Sequence, residues 1–265
     1  MNLKTLINQS VYGTVGYISS LDDINLLEQY ILYNLPVLKE FKNIIVATNY
    51  KDKNIHQTLN DEIWKKYFPN CTCITSEINR GHNFGTADLD NMIFDYCKQN
   101  NIKWLCKASN DVILTEDIFK NEVNEADFYY LNGISFEDLY KANFNISKIY
   151  NERFYPQTNF YIINVSKCDY LNDKAYLDDT YEQSKLIPNY NGKIWEYIDG
   201  WSCENFLKNC IEFNDLSKTY LLNLHQHTRL CEAIKMYKIG DPSHKNVMIE
   251  GICHFHYPNQ QIIEI

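Results

Sequence analysis

Residues 79–114 read NRGHNFGTADLDNMIFDYCKQNNIKWLCKASNDVIL, and this stretch narrows the folds open to the chain more than any other. A polar loop punctuated by Gly81 and Gly85 leads into a helix. Leu89, Met92, Ile93 and Tyr96 fall at the i, i+3, i+4, i+7 spacing of one buried helical face. Asp88, Asn91 and Asp95 recur along a different side. A short apolar strand over 102–108 follows and breaks at Ser109-Asn110-Asp111. In an open α/β sheet, ligands bind outside the carboxyl ends of the strands. The reading therefore puts Asp111 at a crevice.

The preceding chain repeats the same alternation. Strands are expected at 11–20, 43–49 and 71–76, with helices between them, one capped by Asp22 and disturbed by Pro36, another over 62–67. Strands alternating with helices through the first 115 residues predict βαβ units and a mostly parallel, Rossmann-like sheet flanked by helices. Later segments are less regular. Strands are expected at 127–134, 159–164, 219–224 and 249–255, and a helix over 200–210. No repeat or linker interrupts 1–265. The economical reading is one domain, with a ligand-binding half over about 10–115 and an acceptor half over about 116–265.

The formal net charge of −9 argues against holding nucleic acid by its phosphates. No apolar run is long enough to cross a bilayer, and the first residues lack a secretory pattern, so a cytoplasmic location is expected. Nine scattered cysteines read as free thiols.

The order of parts resembles the GT-A glycosyltransferases, an α/β family that binds nucleotide sugars. The resemblance lies in Asn79-Arg-Gly81, the helix carrying Asp88 and Asn91, and the strand ending Ser109-Asn110-Asp111. It implies transfer of a hexosyl or pentosyl group from a nucleoside-diphosphate sugar, of UDP or GDP type, to a hydroxyl acceptor: a glycan, a lipid-linked sugar or a protein-linked glycan. Asp111 is implied to bind Mn²⁺ or Mg²⁺, with His254 or His256 completing the metal shell. His225 and His227 share that spacing and remain alternatives. Ser109 stands where many family members carry an acid. The family's later acidic motif finds its best match at Glu204, with Asp199 in reserve.

These residue types suit the chemistry. A hard cation prefers oxygen ligands and stabilises a departing diphosphate as a Lewis acid. A carboxylate can take the proton from the acceptor hydroxyl in an inverting reaction. Ser19, Thr48 and Asn49 end predicted strands, from which a base and ribose can be held. Arg80, Asp88, Asn91 and Asn110 are further candidates for contact with the donor. Two rival readings keep the scaffold: a transferase acting on modified DNA bases, and a non-catalytic nucleotide- or glycan-binding protein.

Overall fold

The computed structural model describes residues 1–18, 20–50, 53–110, 112–114, 116–132, 156–186, 203–214, 216, 219–221 and 252–254. After a short helix α1 (Leu3–Ile7), the chain forms β1 (Val11–Ile18), α2 (Leu21–Leu38), β2 (Ile44–Tyr50), α3 (Lys53–Tyr67), β3 (Thr72–Ser76), α4 (His82–Gln99) and β4 (Trp104–Ser109). Next come β5 (Val112–Leu114), β6 (Phe128–Asn132), β7 (Pro156–Asn164), α5 (Lys174–Ser184), α6 (Cys203–Phe213), β8 (Thr219–Leu221) and β9 (Ile252–His254).

Seven strands make one sheet in the order β3–β2–β1–β4–β7–β6–β8, and β5 pairs with β9 separately. β3, β2, β1 and β4 run parallel, β7 is antiparallel to β4 and to β6, and β8 is parallel to β6. Only β7 opposes the common direction. This is the α/β class with a mostly parallel sheet that the alternation predicts.

Side chains of β1 alternate between two cores, as a strand with helices on both faces requires. Tyr12 packs with Leu27, Tyr30 and Ile31 of α2 and Trp64 of α3. Val11 and Val15 pack on the other face with Leu89, Ile93 and Phe94 of α4 and Leu207 and Ile211 of α6. The connection from β1 to β2 therefore lies on one face, and the connection from β3 to β4 on the other. The direction of winding reverses between β1 and β4, and such a reversal leaves a crevice at the carboxyl end of the sheet.

Several elements differ from the sequence reading for identifiable reasons. Helix α2 is capped by Ser20 rather than Asp22: the Asp23 amide donates to Ser20 Oγ at 3.2 Å, and the Ser20 amide donates to Asp23 Oδ2 at 2.9 Å. This reciprocal box satisfies two amides at once. Pro36 does not end α2, which continues to Leu38. Proline leaves the carbonyl four residues back without its helical partner, and that residue, Leu32, is solvent-exposed. Helix α3 starts well before residue 62, and β5 and α5 were not foreseen. The seven cysteines whose side chains are described are free, and burial pushes the Cys97 thiol up to about 12. Among the described residues, no helix is long and apolar enough to cross a membrane.

Gly13 fixes how closely α4 approaches the sheet. A Cβ there would lie 2.8 Å from Leu105 Cδ1 and 2.9 Å from Ile93 Cγ2, both in the core. Gly13→Ala is therefore expected to destabilise the fold by about 1–3 kcal/mol through overpacking. Urea unfolding of the two proteins measures it, and equal midpoints would refute the close approach.

Candidate functional site

The crevice is built from strand ends. Gly16 and Tyr17 of β1 stand beside Thr48 and Asn49 of β2, and these beside Thr75 and Ser76 of β3. On the other side of β1, Val15 pairs with Ser109, so Asn110 emerges next to Gly16. A Cβ at Gly16 would approach Asn110 Nδ2 to 3.0 Å. The missing side chain is what lets the Asn110 amide lie across the end of β1. Thr48 and Asn49 are both buried, and Asn49 Oδ1 has no hydrogen-bond partner. Tyr17, by contrast, is 46% exposed on the same rim.

The loop into α4 explains its own sequence. Gly81 holds φ 92° and ψ −177°, a backbone region essentially restricted to glycine. Asn79 Oδ1 accepts from the Gly81 amide at 3.0 Å, an Asx turn that fixes the approach. Between them, Arg80 turns back onto the helix. It donates from Nε to Asp88 Oδ2 at 2.7 Å, from Nη2 to Asp88 Oδ1, and from Nη1 to Asp178 Oδ1 of α5 at 2.6 Å. Its guanidinium also lies 5.1 Å from the Tyr181 ring centroid. The two-pronged contact with Asp88 raises the guanidinium pKa further above its ordinary value. Arg80 and Asp88 thus form a clamp joining the loop, α4 and α5. Asn91 does similar work nearby, donating to the Asn172 carbonyl at 3.1 Å and accepting from its amide at 2.9 Å.

Below the crevice lies a buried polar cluster. Lys107 of β4 is fully buried, on the face shared with Ser109. Its ammonium donates to Ser109 Oγ at 3.1 Å and to the Thr158 carbonyl of β7, and lies 3.5 Å from Asp90 Oδ1 of α4. The Tyr161 ring centroid is 5.9 Å away. Thr158 carries the contact onward: its hydroxyl donates to Glu204 Oε1 at 3.1 Å, and the Cys203 thiol donates to Glu204 Oε2 at 3.3 Å. Glu204 sits in the first turn of α6, where the helix dipole favours a negative charge. Burial pushes the Asp90 carboxyl up to about 6, against the pull of the Lys107 charge and with a smaller push from Glu204. Burial and the neighbouring Glu204 charge also raise the Cys203 thiol.

The predicted site residues therefore divide into groups. Thr48, Asn49 and Asn110 meet at the crevice beside β1, and Glu204 reaches the same end of the sheet through Thr158. Arg80 is engaged with Asp88 of α4 and Asp178 of α5, and Asn91 with Asn172, just before α5. In the β5–β9 ribbon, Val112 pairs with His254, which puts that backbone opposite the residue after Asp111. Ser19, Asp111, Asp199 and His256, with His225 and His227, lie outside the described residues. No group of three or more His, Cys, Asp or Glu side chains that could hold a metal occurs among the described residues. The sequence reading missed Lys107, Asp90, Thr158 and Tyr17. A charge inside the apolar run at 102–108 was the signal for Lys107, because a buried strand tolerates a lysine only with partners.

The fold defines an α/β protein whose winding reverses between β1 and β4. No family model matches the sequence, and neither does any curated protein. Among solved structures, the chain is similar to the apo-form glycosyltransferase GlyE of Streptococcus pneumoniae TIGR4, at 11% identity and a TM-score of 0.49 over 94% of this chain. It spans 55% of that protein's length. It is similar to apo mouse xyloside xylosyltransferase 1, at 10% identity and a TM-score of 0.41, covering 95% of this chain and 99% of that one. It is also similar to core-mannan synthase A of Aspergillus fumigatus in its Mn/GDP form, at 8% identity and a TM-score of 0.44, covering 81% and 72%.

Asp90 gives the cluster a pH signature. An unfolded aspartate titrates near 3.9, so between about pH 4 and 6 the folded protein keeps a proton that the unfolded chain releases. Stability from this group is complete below that window and falls as pH rises through it. A two-unit difference corresponds to roughly 3 kcal/mol. Burial sets that value first; Lys107 of β4 and Tyr161 of β7 pull it down, and Glu204 of α6 pushes it up. Urea unfolding of the native protein and of Asp90→Asn at pH 4 and pH 7 should show their stability difference changing by about this amount. A difference that does not vary with pH would refute the assignment.

Proposed function

We propose that this chain is a glycosyltransferase that moves one sugar from a nucleoside-diphosphate donor to a hydroxyl acceptor, with the transfer performed at the crevice between β1 and β4. One observation carries the reading. The strand end leading to Asp111 and the helix start bearing Glu204 are tied to one rim, through Lys107, Ser109 and Thr158. Glu204 at this rim, with Asp111 following the described end of β4, suits a reaction that needs one acid beside a leaving diphosphate and another beside an attacking hydroxyl.

In this reading, Thr48, Asn49 and Ser19 hold the nucleoside. The orphaned Asn49 Oδ1 is an acceptor suited to a base N–H or a ribose hydroxyl, and the exposed Tyr17 ring offers a face for the base. Asn110, lying over Gly16, orients the ribose or the diphosphate. Asp111 holds Mn²⁺ or Mg²⁺. His254, opposite Val112 in the β5–β9 pairing, or His256 supplies the imidazole. The donor set fits the cation, since one carboxylate and one imidazole beside phosphate oxygens suit Mn²⁺ in particular. When bound, the cation neutralises charge on the departing diphosphate.

Glu204 accepts the acceptor's proton, with the Thr158 hydroxyl and the Cys203 thiol orienting its two oxygens. Asp199 is the reserve for that role. The Arg80 contacts with Asp88 and Asp178 hold α4 against α5, the Asn91–Asn172 pair holds α4 against the segment before α5, and together they fix the wall beside the donor. A glycan is the acceptor class this reading favours, and a cytoplasmic location goes with it.

Isothermal titration with UDP and with GDP, each with and without Mn²⁺, tests the donor side. Binding by one nucleotide that requires the metal is expected. Asp111→Asn should weaken it by roughly 10- to 100-fold, the scale of one lost charge-assisted contact. Glu204→Gln should keep nucleotide affinity while donor turnover falls by about 10²- to 10⁴-fold. Metal-independent binding, or none with either nucleotide, would overturn the reading.

A further inference from the structure

Lys107 is the one described lysine with no exposed surface, and neither the nucleoside pocket nor the proton transfer uses it. Burying an ammonium in a sheet-to-helix core is costly unless its donors are met. Here each direction has a destination. One proton goes to Ser109 Oγ, one to the Thr158 carbonyl, and the third side faces Asp90. Two of these destinations belong to the rim. Ser109 immediately precedes Asn110 and Asp111. Thr158 lies near the start of β7, two residues before the Phe160–Ala108 pair, and its hydroxyl holds Glu204. The ammonium thus bridges the antiparallel junction of β4 and β7 at the edge of the crevice.

The junction is a natural weak point. The paired register of β4 with β7 ends at Ala108–Phe160. Beyond that pair, the Lys107 ammonium spans from Ser109 to the main chain at Thr158. Asp90 contributes no rim contact and sits 3.5 Å from the ammonium with Oδ1 lacking a hydrogen-bond partner. It acts as the counter-charge that makes a buried lysine tolerable.

We infer that Lys107 is a positioning residue: its ammonium sets the spacing between the β4 terminus that leads to Asp111 and the Thr158-held carboxylate of Glu204, while Asp90 neutralises it. The role rests on the reading of this rim as the transfer site, but its structural half stands apart from that reading. Hydrogen bonds from one rigid donor hold both sides of the cleft, so their loss displaces Glu204 relative to the donor rather than weakening donor binding. Misplacement of a reacting group by about 1 Å can cost on the order of 10²-fold in rate.

The test separates the hydrogen bonds from the charge. Lys107→Met alone leaves Asp90 buried without its partner, and that variant can fail to fold. The informative variants change both residues. Asp90→Asn with Lys107→Met removes charge and donors together; Asp90→Asn with Lys107→Gln removes the charge and keeps an amide that can donate to Ser109 and Thr158. Hydrogen exchange followed by mass spectrometry reads the rim without any substrate. The Met double variant should exchange about tenfold faster in peptides covering 106–110 and 156–160, with the β2 peptide unchanged, whereas the Gln double variant should stay within about threefold of the native protein.

Donor turnover should follow the same order. The Met double variant is expected to lose about 10²-fold in kcat with the KM for donor nearly unchanged, and the Gln double variant to recover most of it. Native exchange in the Met double variant would overturn the positioning role outright. Faster exchange with full turnover would confine Lys107 to stabilising the fold and overturn its catalytic spacing role. If the native protein neither binds nor cleaves a nucleotide sugar, the proposed function fails, and the exchange data alone decide whether Lys107 spaces the rim.

Discussion

The tight packing of β1 is the constraint on which the remaining geometry depends. At Gly13 the strand has no room for a methyl group between Leu105 of β4 and Ile93 of α4. That contact draws α4 down onto the sheet face opposite α2, while Tyr12, one residue earlier, reaches Tyr30 of α2 on the other face. Each helix is thereby committed to its own side, and winding must reverse beside β1. The crevice is a consequence of that reversal. At its mouth a second glycine, Gly16, lets Asn110 lie across the strand end.

Electrostatics beneath the crevice follow from the same packing. A lysine in the middle of β4 would ordinarily be excluded from an apolar face. It is retained because α4 supplies Asp90, β7 supplies a carbonyl, and Ser109 supplies a hydroxyl on the same face of β4. The carboxyl of Asp90 is held well above the usual range because burial outweighs the attraction of a neighbour that does not make a good hydrogen bond with it. Glu204 differs in its surroundings: it is partly exposed, at a helix start, and its two oxygens accept from Thr158 and Cys203. Two acids linked through Lys107 and Thr158 are thus held in unlike environments.

Much of the first half could be read without coordinates. The periodicity of Leu89, Met92, Ile93 and Tyr96 identified α4, and the short apolar runs identified β1 to β4 because each ends in polar residues. Asn79-Arg-Gly81 was visible as a motif, but its reason was not, since the φ of Gly81 and the Asn79 hydrogen bond appear only in three dimensions. Arg80 and Asp88 both stood out as polar residues near the site. Their pairing with each other and with Asp178 depends on where α5 packs, and α5 had no clear sequence signal because its apolar face is narrow. Pro36 was a misleading cue, as its unsatisfied carbonyl falls at exposed Leu32.

By itself, the sequence determined what is local. It set which segments become strands and helices, where glycine must stand, and that polar residues gather at the strand ends of the first half. Those properties follow from hydrophobic period and backbone sterics, which act over a few residues. Tertiary structure alone decided that Lys107 meets Thr158 across 51 positions, and Thr158 meets Glu204 across another 46. The reason is that such partners are chosen by the order of strands in the sheet. That order is set by the joint burial of two apolar faces, a property of the whole chain that no short window contains.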